Sequence, residues 1–131
     1  MKDKKLGNKG ITIVEVVISM ALLIVLVLVT LSLATSATST TNTAILTFRA
    51  SNQAIDFIEI FQESDDEEEF KNLIERVYGV EYNIENNNSI SVMKNGVKSN
   101  ILIINNAIII NSYSESNPDN HLYEYTYWKG E

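Results

Sequence analysis

The sequence has no cysteine, which excludes a disulfide framework, a thiolate metal site and a cysteine nucleophile. It also lacks a phosphate-binding glycine loop and the local signature of a Ser-His-Asp triad. The single histidine, His121, has no metal-ligand spacing near it, and its default interpretation is a surface residue at the start of a strand. From these absences we expect no enzymatic activity, no metal site and no cofactor.

Charge is divided unevenly along the 131 residues. The first ten contain four lysines and one aspartate, a net charge of +3, whereas the rest contain 6 basic and 16 acidic residues, a net charge of −10. Nucleic acid is a poor partner for such an acidic body, because phosphate binding needs clustered lysine and arginine. Lysines beside an apolar helix instead predict a cytoplasmic N-terminus and a body on the outer side of a membrane.

Charged residues are absent between Glu15 and Arg49, and residues 16–33 are almost wholly aliphatic. A helix needs about 20 apolar residues to cross a bilayer core of roughly 30 Å, and residues 11–34 meet that length. Glu15 lies near the start of this segment, where a carboxylate costs less than the roughly 2.5–3.5 kcal/mol of a mid-membrane charge. The sequence therefore predicts a membrane-spanning helix and a partner for the Glu15 carboxylate.

An amphipathic helix is predicted over residues 42–62, and the preceding stretch 34–41 has no proline or glycine that would end a helix before it. One face of this helix is polar: Arg49, Asn52, Gln53, Asp56, Glu59 and Glu63. The opposite face is apolar and is flanked by Phe48 and Ile55: Leu46, Ala50, Ala54, Phe57, Ile58 and Phe61. We expect the apolar face to cover a sheet.

The remaining sequence predicts a short helix and then strands, which makes the fold class α+β. The helix spans residues 65–77, with Ser64 or Asp65 as its cap and Gly79 as its stop. Strands are predicted over 80–85, 89–94, 97–104, 107–113 and 121–128, and 114–120, which contains Pro118, is predicted to be a loop. Asn95-Gly96 is a hairpin signal and Asn105-Asn106 a weaker one. The expected body, residues 35–131, is an antiparallel sheet of four or five strands on the amphipathic helix.

The N-terminal residues resemble the class III leader of type IV pilins and pseudopilins. The likeness has three parts. A basic leader, residues 1–10, ends in Lys9-Gly10, and the residue after the glycine is apolar. Glu15 lies five positions after the glycine, at the start of a long apolar helix. The likeness extends over residues 2–34, and its stretch from Val14 to Ala21 is more similar to minor pilins and pseudopilins than to shaft subunits. The long helix followed by a sheet also fits that fold.

The resemblance implies three roles. Gly10 precedes the bond that a membrane-embedded prepilin peptidase cuts, and Ile11 becomes a new N-terminus whose amine the same enzyme methylates. Glu15 attracts the α-amine of a neighbouring subunit and sets the axial register of a filament. A desolvated amine and carboxylate attract strongly, and removal of one leaves a buried charge unpaired at about 3–5 kcal/mol. The chain departs from the family pattern in having Ile11 where phenylalanine is commoner, no mid-helix proline and no C-terminal cysteine pair.

By this resemblance the chain is a structural subunit, a minor pilin or pseudopilin, of a filament or a related secretion or DNA-uptake machine. Its implied partners are other pilin-like subunits, the prepilin peptidase and methyltransferase, and, indirectly, an assembly ATPase and a platform protein. Its implied location is first the cytoplasmic membrane, as a single-pass protein with the N-terminus in the cytoplasm, and then an extracellular filament. Which machine it serves stays open.

Two other functions stay open on sequence alone. One is a single-pass anchored binding module, and the other is a secreted protein cut near Ala37, where Thr35-Ser36-Ala37 offers a small-residue cleavage site.

The acidic run 65–69 lacks the alternating spacing and glycine of a calcium loop, so a solvated helix start is favoured. Every second residue of the last predicted strand is a tyrosine: Tyr123, Tyr125 and Tyr127. This alternation is explained by the two faces of one strand, and the tyrosines could also form a contact face for a partner.

Overall fold

The computed structural model describes residues 9–86 and 89–130, with backbone alone at residues 9–11 and 86. Its helices are α1 (Lys9–Glu63) and α2 (Glu67–Tyr78), followed by a 3-10 turn at Gly79–Glu81. Its strands are β1 (Tyr82–Asn86), β2 (Ser89–Lys94), β3 (Val97–Ile104), β4 (Ala107–Ser114) and β5 (Asn117–Trp128). The strands form one antiparallel sheet in the order β1-β2-β3-β4-β5. The expected α+β fold, a long helix with an antiparallel sheet, is confirmed.

The chain divides into two compact units between Thr41 and Asn42. The first unit contains the N-terminal part of α1, in which every side chain described from Thr12 to Thr41 is exposed. The second unit contains the rest of α1, α2 and the whole sheet, and it has its own core. We call these the helical unit and the sheet unit.

The core of the sheet unit forms where α1 and α2 cover one face of the sheet. Ala54, Phe57 and Phe61 of α1 are buried there, and the Phe57 and Phe61 rings lie 5.3 Å from Tyr78 and 5.7 Å from Phe70 of α2. Alternate residues of the middle strands supply the other side: Ile90, Val92, Ile101, Ile103, Ile108 and Ile110. Each such buried side chain contributes about 1.5–3 kcal/mol relative to exposure in water.

The hairpin between β2 and β3 forms at Asn95-Gly96, as the sequence predicts. Asn95 and Gly96 have φ values of 54° and 80°, the left-handed conformation that a two-residue turn of this kind needs at both positions. A Cβ at position 96 would lie at an ordinary contact distance, 3.4 Å, from Leu46 Cδ2, so the positive φ rather than the approach of α1 favours glycine there. Arg49 Nη1 donates a hydrogen bond of 3.0 Å to Asn95 O and joins the helix to the hairpin.

The start of α2 differs from the expectation, because its N-cap is Asp66 rather than Ser64 or Asp65. Asp66 Oδ1 accepts a hydrogen bond from Glu69 N at 2.8 Å, and Glu69 Oε2 accepts one from Asp65 N at 2.7 Å. Ser64 instead ends α1, where its buried hydroxyl donates to Phe61 O at 3.0 Å. The prediction that Gly79 stops the helix is confirmed, with φ 55° at that residue.

The predicted loop 114–120 is wrong in its second half, because β5 begins at Asn117 and includes Pro118. β5 is an edge strand, and proline is tolerated there since one side of the strand needs no ladder hydrogen bond. A bulge follows: Ser112 pairs with Tyr123 and the next residue of β4 pairs with His121, so Leu122 is an extra residue. The bulge lets Leu122 and Tyr123 both contact the helix side of the sheet.

Candidate functional site

The aliphatic run of α1 exposes its large side chains. From Val16 to Leu33 each large hydrophobic residue is between 50% and 65% exposed. Among the residues that the structure describes, α1 is the one helix long and apolar enough to cross a membrane. An exposed apolar surface of this size needs lipid or another protein around it. The run therefore fits single-pass membrane anchoring.

Glu15 lies within the first turns of α1, and its side chain is exposed. The nearby apolar side chains of Ile13 and Val16 are also exposed, at 68% and 57%. It forms no ion pair with any residue that the structure describes. Gly10 and Ile11 lie in the same helix, but the side chain of Ile11 and the lysines of residues 1–8 are outside the described residues. The processing and assembly roles of these three residues stay predictions.

The Ser/Thr-rich stretch that follows is helical throughout. Its threonine hydroxyls donate to backbone carbonyls three or four residues earlier, at 2.8–3.1 Å: Thr35 to Leu31 and Ser32, Thr38 to Ala34, Thr40 to Ser36, and Thr41 to Ala37. Serine and threonine are mediocre helix formers because their hydroxyls compete for backbone partners. Here that competition is resolved inside the helix, which explains why α1 continues.

In the sheet unit, Gln53 of α1 faces the sheet rather than solvent, which corrects its predicted place on the polar arc. It is 6% exposed, its Nε2 donates to Lys94 O at 3.1 Å, and its Oε1 accepts from Ser99 Oγ at 3.2 Å. Ser99 and Ser112 share a further hydrogen bond of 2.9 Å. Helical spacing from Ala50 and Phe57 places residue 53 on this face. A buried amide is tolerated because the serine pair and a backbone carbonyl satisfy it.

The face of α1 that points away from the sheet carries apolar side chains. Phe48 is 67% exposed, Ile55 51% and Ile45 44%. The sequence places Phe48 and Ile55 at the margins of the buried face, but the core is complete without them because Ala50, Ala54 and Phe57 already fill the space against the sheet. Sequence reasoning assigned no function to these outward residues, although their spacing is visible in the sequence.

The other residues that the sequence analysis considered, His121, the acidic run and the alternating tyrosines, are described by their contacts. His121 packs edge-on against Tyr113 at 5.1 Å between ring centroids, and its Nε2 lies 3.9 Å from Glu124 Oε2. Within residues 9–86 and 89–130, no group of three acidic, histidine or cysteine side chains could hold a metal. The alternating tyrosines lie opposite inward-facing residues of β4, and the Tyr127 hydroxyl accepts a hydrogen bond of 2.7 Å from Gln62. They belong to the helix side of the sheet.

A cavity of about 360 Å³ lies on the other face of the sheet, near the start of β5. It is lined by Met93, Lys98, Asn100, Tyr113, Ser114, Glu115 and Pro118. Lys98 Nζ is held 2.7 Å from Glu85 Oε1, and this hydrogen bond lowers the pKa of the Glu85 carboxyl below its ordinary value. The buried oxygen Oδ1 of Asn100 accepts no hydrogen bond from any described residue. It is covered by neighbouring atoms, so it does not offer the cavity a binding group.

No protein-family model, curated protein or solved structure matches the chain. The arrangement that bears on function is therefore the one in the chain itself: a long helix with an exposed aliphatic run and Glu15 at its head, continued into an α+β unit.

Proposed function

We propose that the chain is a structural subunit, a minor pilin or pseudopilin, of a type IV pilus-like filament or a related secretion or DNA-uptake machine. The observation that carries the proposal is the position of Glu15, five residues after Gly10 and at the head of a helix whose described side chains are exposed as far as Ile45. A carboxylate in such a surface needs a cationic partner. Cleavage after Gly10 creates one.

The proposed pairing follows from the charges. Hydrolysis of the bond after Gly10 gives Ile11 a free α-amine, which is protonated near neutral pH and keeps its charge after methylation. The amine of one subunit and the Glu15 carboxylate of its neighbour attract each other more strongly among aliphatic side chains than in water. A single ionic pair in an otherwise apolar contact fixes the register of two helices, as a lone buried asparagine does in a coiled coil.

The aliphatic run supplies the remaining contact. In the membrane, residues 16–33 are surrounded by lipid tails, which are as apolar as the side chains themselves. When subunits leave the bilayer, the same side chains are buried only if helices of several subunits pack together. The exposed large side chains between Val16 and Leu33 are suited to that exchange of lipid for protein. The resemblance implies that a cytoplasmic ATPase, acting through a platform protein, drives this step.

The mass of the mature N-terminus tests the proposal. The full chain is co-expressed with a prepilin peptidase and purified from membranes, and a Gly10→Leu variant, which places a bulky side chain before the scissile bond, is the control. We expect the wild-type chain to begin at Ile11 with one added methyl group and the variant to keep Met1. A wild-type chain that keeps Met1 would indicate the anchored binding module, and a chain that begins near Thr38 would indicate the secreted protein.

A further inference from the structure

The cavity on the face of the sheet that points away from α1 has no part in the proposed function. Its volume of about 360 Å³ falls within the range of small-molecule sites, roughly 300–1,000 Å³. Its walls come from β2, β3, β4, the β4–β5 turn and the start of β5. Several elements of the sheet unit therefore combine to form a space of a size that suits a small ligand.

An irregularity in β5 shapes this cavity. Tyr113 pairs with His121, and the next residue of β4, Ser114, pairs with Asn117, so β5 advances from 117 to 121 while β4 advances by a single residue. Residues 118–120 therefore lie outside the regular ladder, and Pro118 forms part of the cavity wall. Irregularities of this kind re-aim side chains and are over-represented beside functional sites.

The turn that carries Glu115 into the wall is held by hydrogen bonds. Glu115 N donates to Gly96 O at 2.9 Å, which fixes the turn to the β2–β3 hairpin. The hydroxyls of Ser114 and Ser116 share a hydrogen bond of 3.0 Å across the same turn. A wall that is fixed before a ligand arrives loses less conformational entropy on binding, which favours affinity.

Glu115 gives the cavity its unbalanced charge. The other charged residue of the wall, Lys98, is bound through its ammonium to Glu85 Oε1 at 2.7 Å, so its charge is matched. Glu115 is exposed and forms no ion pair with any residue that the structure describes. The cavity is therefore suited electrostatically to a cation rather than to an anion.

The uncharged part of the wall favours an organic cation over a metal ion. Met93 and Tyr113 are both paired with or next to Lys98 in the ladder, so they lie on the same face of the sheet. A tyrosine ring attracts a cation within about 6 Å of its centroid, and an apolar neighbour accommodates an alkyl group. Calcium and magnesium need about six oxygen ligands. No group of metal-binding side chains exists within residues 9–86 and 89–130 to supply them.

The Tyr113 ring is supported from β5. His121 packs against it with 5.1 Å between ring centroids and an angle of 81° between the ring planes. Tyr113 is half-buried and also lines the cavity. The ring is thus held in place by one neighbour while it remains available to a ligand.

We propose that this cavity binds a small organic ammonium ion. The ammonium group lies between the Glu115 carboxylate and the Tyr113 ring, and the alkyl part contacts Met93 and Pro118. The inference goes beyond the proposed function and does not depend on it, because it assigns a ligand to the sheet unit whatever the N-terminal helix does.

NMR titration of the full chain in detergent micelles tests the proposal, with n-butylammonium chloride as the probe. Butanamide, which is neutral, and butanoate, which is an anion, are the matched ligands, and sodium chloride controls for ionic strength. We expect butylammonium to shift the amide signals of Tyr113, Ser114 and Glu115 in a saturable way, with a Kd of about 1–10 mM. The two matched ligands should bind at least about tenfold more weakly, since neither pairs with a carboxylate. No saturation below about 100 mM, or equal affinity for either matched ligand, would overturn the proposal.

Substitutions in the wall test the assigned contacts. Glu115→Gln is expected to weaken butylammonium binding about tenfold, because the amide keeps the shape but not the charge. Tyr113→Leu should weaken binding about threefold, whereas Tyr113→Phe keeps the ring and should bind as the wild-type chain does. Glu68→Gln, which removes an exposed acid from α2, is the control and should leave the Kd unchanged. The amide spectrum of the core confirms that each variant is folded. A folded Glu115→Gln variant with wild-type affinity, or an equal loss in Glu68→Gln, would show that the cavity does not hold the cation in this way.

Discussion

The ammonium of Lys129, just beyond β5, donates a hydrogen bond of 3.1 Å to the carbonyl oxygen of Phe61 in the last turn of α1. It also donates to Ser64 O and lies 5.5 Å from the centroid of the Phe61 ring. α1 has no basic residue in its own last turn, so a residue from the far end of the chain supplies the cation that complements the helix dipole there. Lys129 thereby fixes the end of β5 to the end of α1.

We expect Lys129→Met to destabilise the sheet unit by about 1–2 kcal/mol, because two carbonyls at a helix terminus lose a charged donor. The free energy of unfolding is measured by urea titration of the full chain in detergent, with Trp128 fluorescence as the signal. Lys98→Met is the control. It removes an exposed ion pair with Glu85, and we expect it to cost less than about 1 kcal/mol. Equal losses in the two variants would contradict the capping role of Lys129.

Gln53→Ala is expected to cost about 2 kcal/mol of unfolding free energy. The substitution removes the donor to Lys94 O and the acceptor for Ser99 Oγ, and it leaves the half-buried carbonyl and the buried hydroxyl without these partners. The neighbouring Asn52→Ala removes an exposed amide from the same helix, and we expect a change within about 0.5 kcal/mol. If Gln53→Ala unfolds at the same urea concentration as Asn52→Ala, the buried hydrogen bonds do not stabilise the unit.

Gly79→Ala is expected to destabilise the sheet unit by about 1–3 kcal/mol through backbone strain alone. Gly79 has φ 55° and ψ −117°, a conformation that glycine adopts far more readily than alanine, and a Cβ there would meet no atom within 4 Å. Gly130 also offers open space to a Cβ but has no positive φ. Gly130→Ala should therefore unfold as the wild-type chain does, and a similar loss in both variants would argue against strain at Gly79.

The Glu85–Lys98 pair predicts a pH dependence. The hydrogen bond from Lys98 is the largest cause that lowers the pKa of Glu85 below its ordinary 4.5, while partial burial opposes it. Because the folded-state pKa is depressed, the pair stabilises the fold above pH 4.5, and this contribution is lost as pH falls through the folded-state pKa. The difference in unfolding free energy between wild type and Lys98→Met should be constant near neutral pH and should narrow below pH 4.5.

The Glu85 titration can be checked directly by NMR of its side-chain carboxyl carbon. We expect the pKa of Glu85 to rise toward its ordinary value in Lys98→Met, since the hydrogen bond that lowers it is gone. A Glu85 pKa that is the same in both proteins would mean that Lys98 does not stabilise the carboxylate in solution.

Glu15→Ala is expected to leave cleavage and methylation intact and to reduce filament assembly strongly. In the proposed filament, loss of the carboxylate leaves the α-amine of a neighbouring subunit buried and unpaired, at a cost of about 3–5 kcal/mol. The readouts are the mass of the mature N-terminus and the amount of filament sheared from cells. Glu59→Ala, which removes an exposed acid from the same helix, serves as the control and should assemble normally. Normal assembly of Glu15→Ala would remove the registration role of Glu15.

The sequence was sufficient to predict those features of the fold that local backbone conformation and strand alternation determine. Asn95-Gly96 predicts its hairpin because few other residues adopt positive φ at two successive positions, and the structure has both there. Gly79 ends α2 for the same reason. The alternation along β3 likewise predicts its buried residues, since Val97, Ser99 and Ile101 are buried in turn on one face.

Tertiary contacts determine the features that the sequence did not predict. Gln53 is polar, and its hydrogen bonds to Ser99 and to the carbonyl of Lys94 explain why it is buried. Pro118 signals a loop when taken alone, but the edge position of β5 makes it compatible with a strand. Lys129 offers no sequence signal of its contact with Phe61, because 68 residues separate the two.

The strand order has a consequence for folding. Because the five strands follow one another in space as they do along the chain, each one can pair as soon as it is synthesised, with no wait for a distant partner. α1 precedes all the strands in the chain, so Phe57 and Phe61 have no core to enter until the middle strands have been synthesised. In that interval, the apolar face of α1 that will contact the sheet is exposed on the nascent chain. The apolar face is fully covered only after the whole sheet has formed and Lys129, just beyond the last strand, bonds to the end of α1.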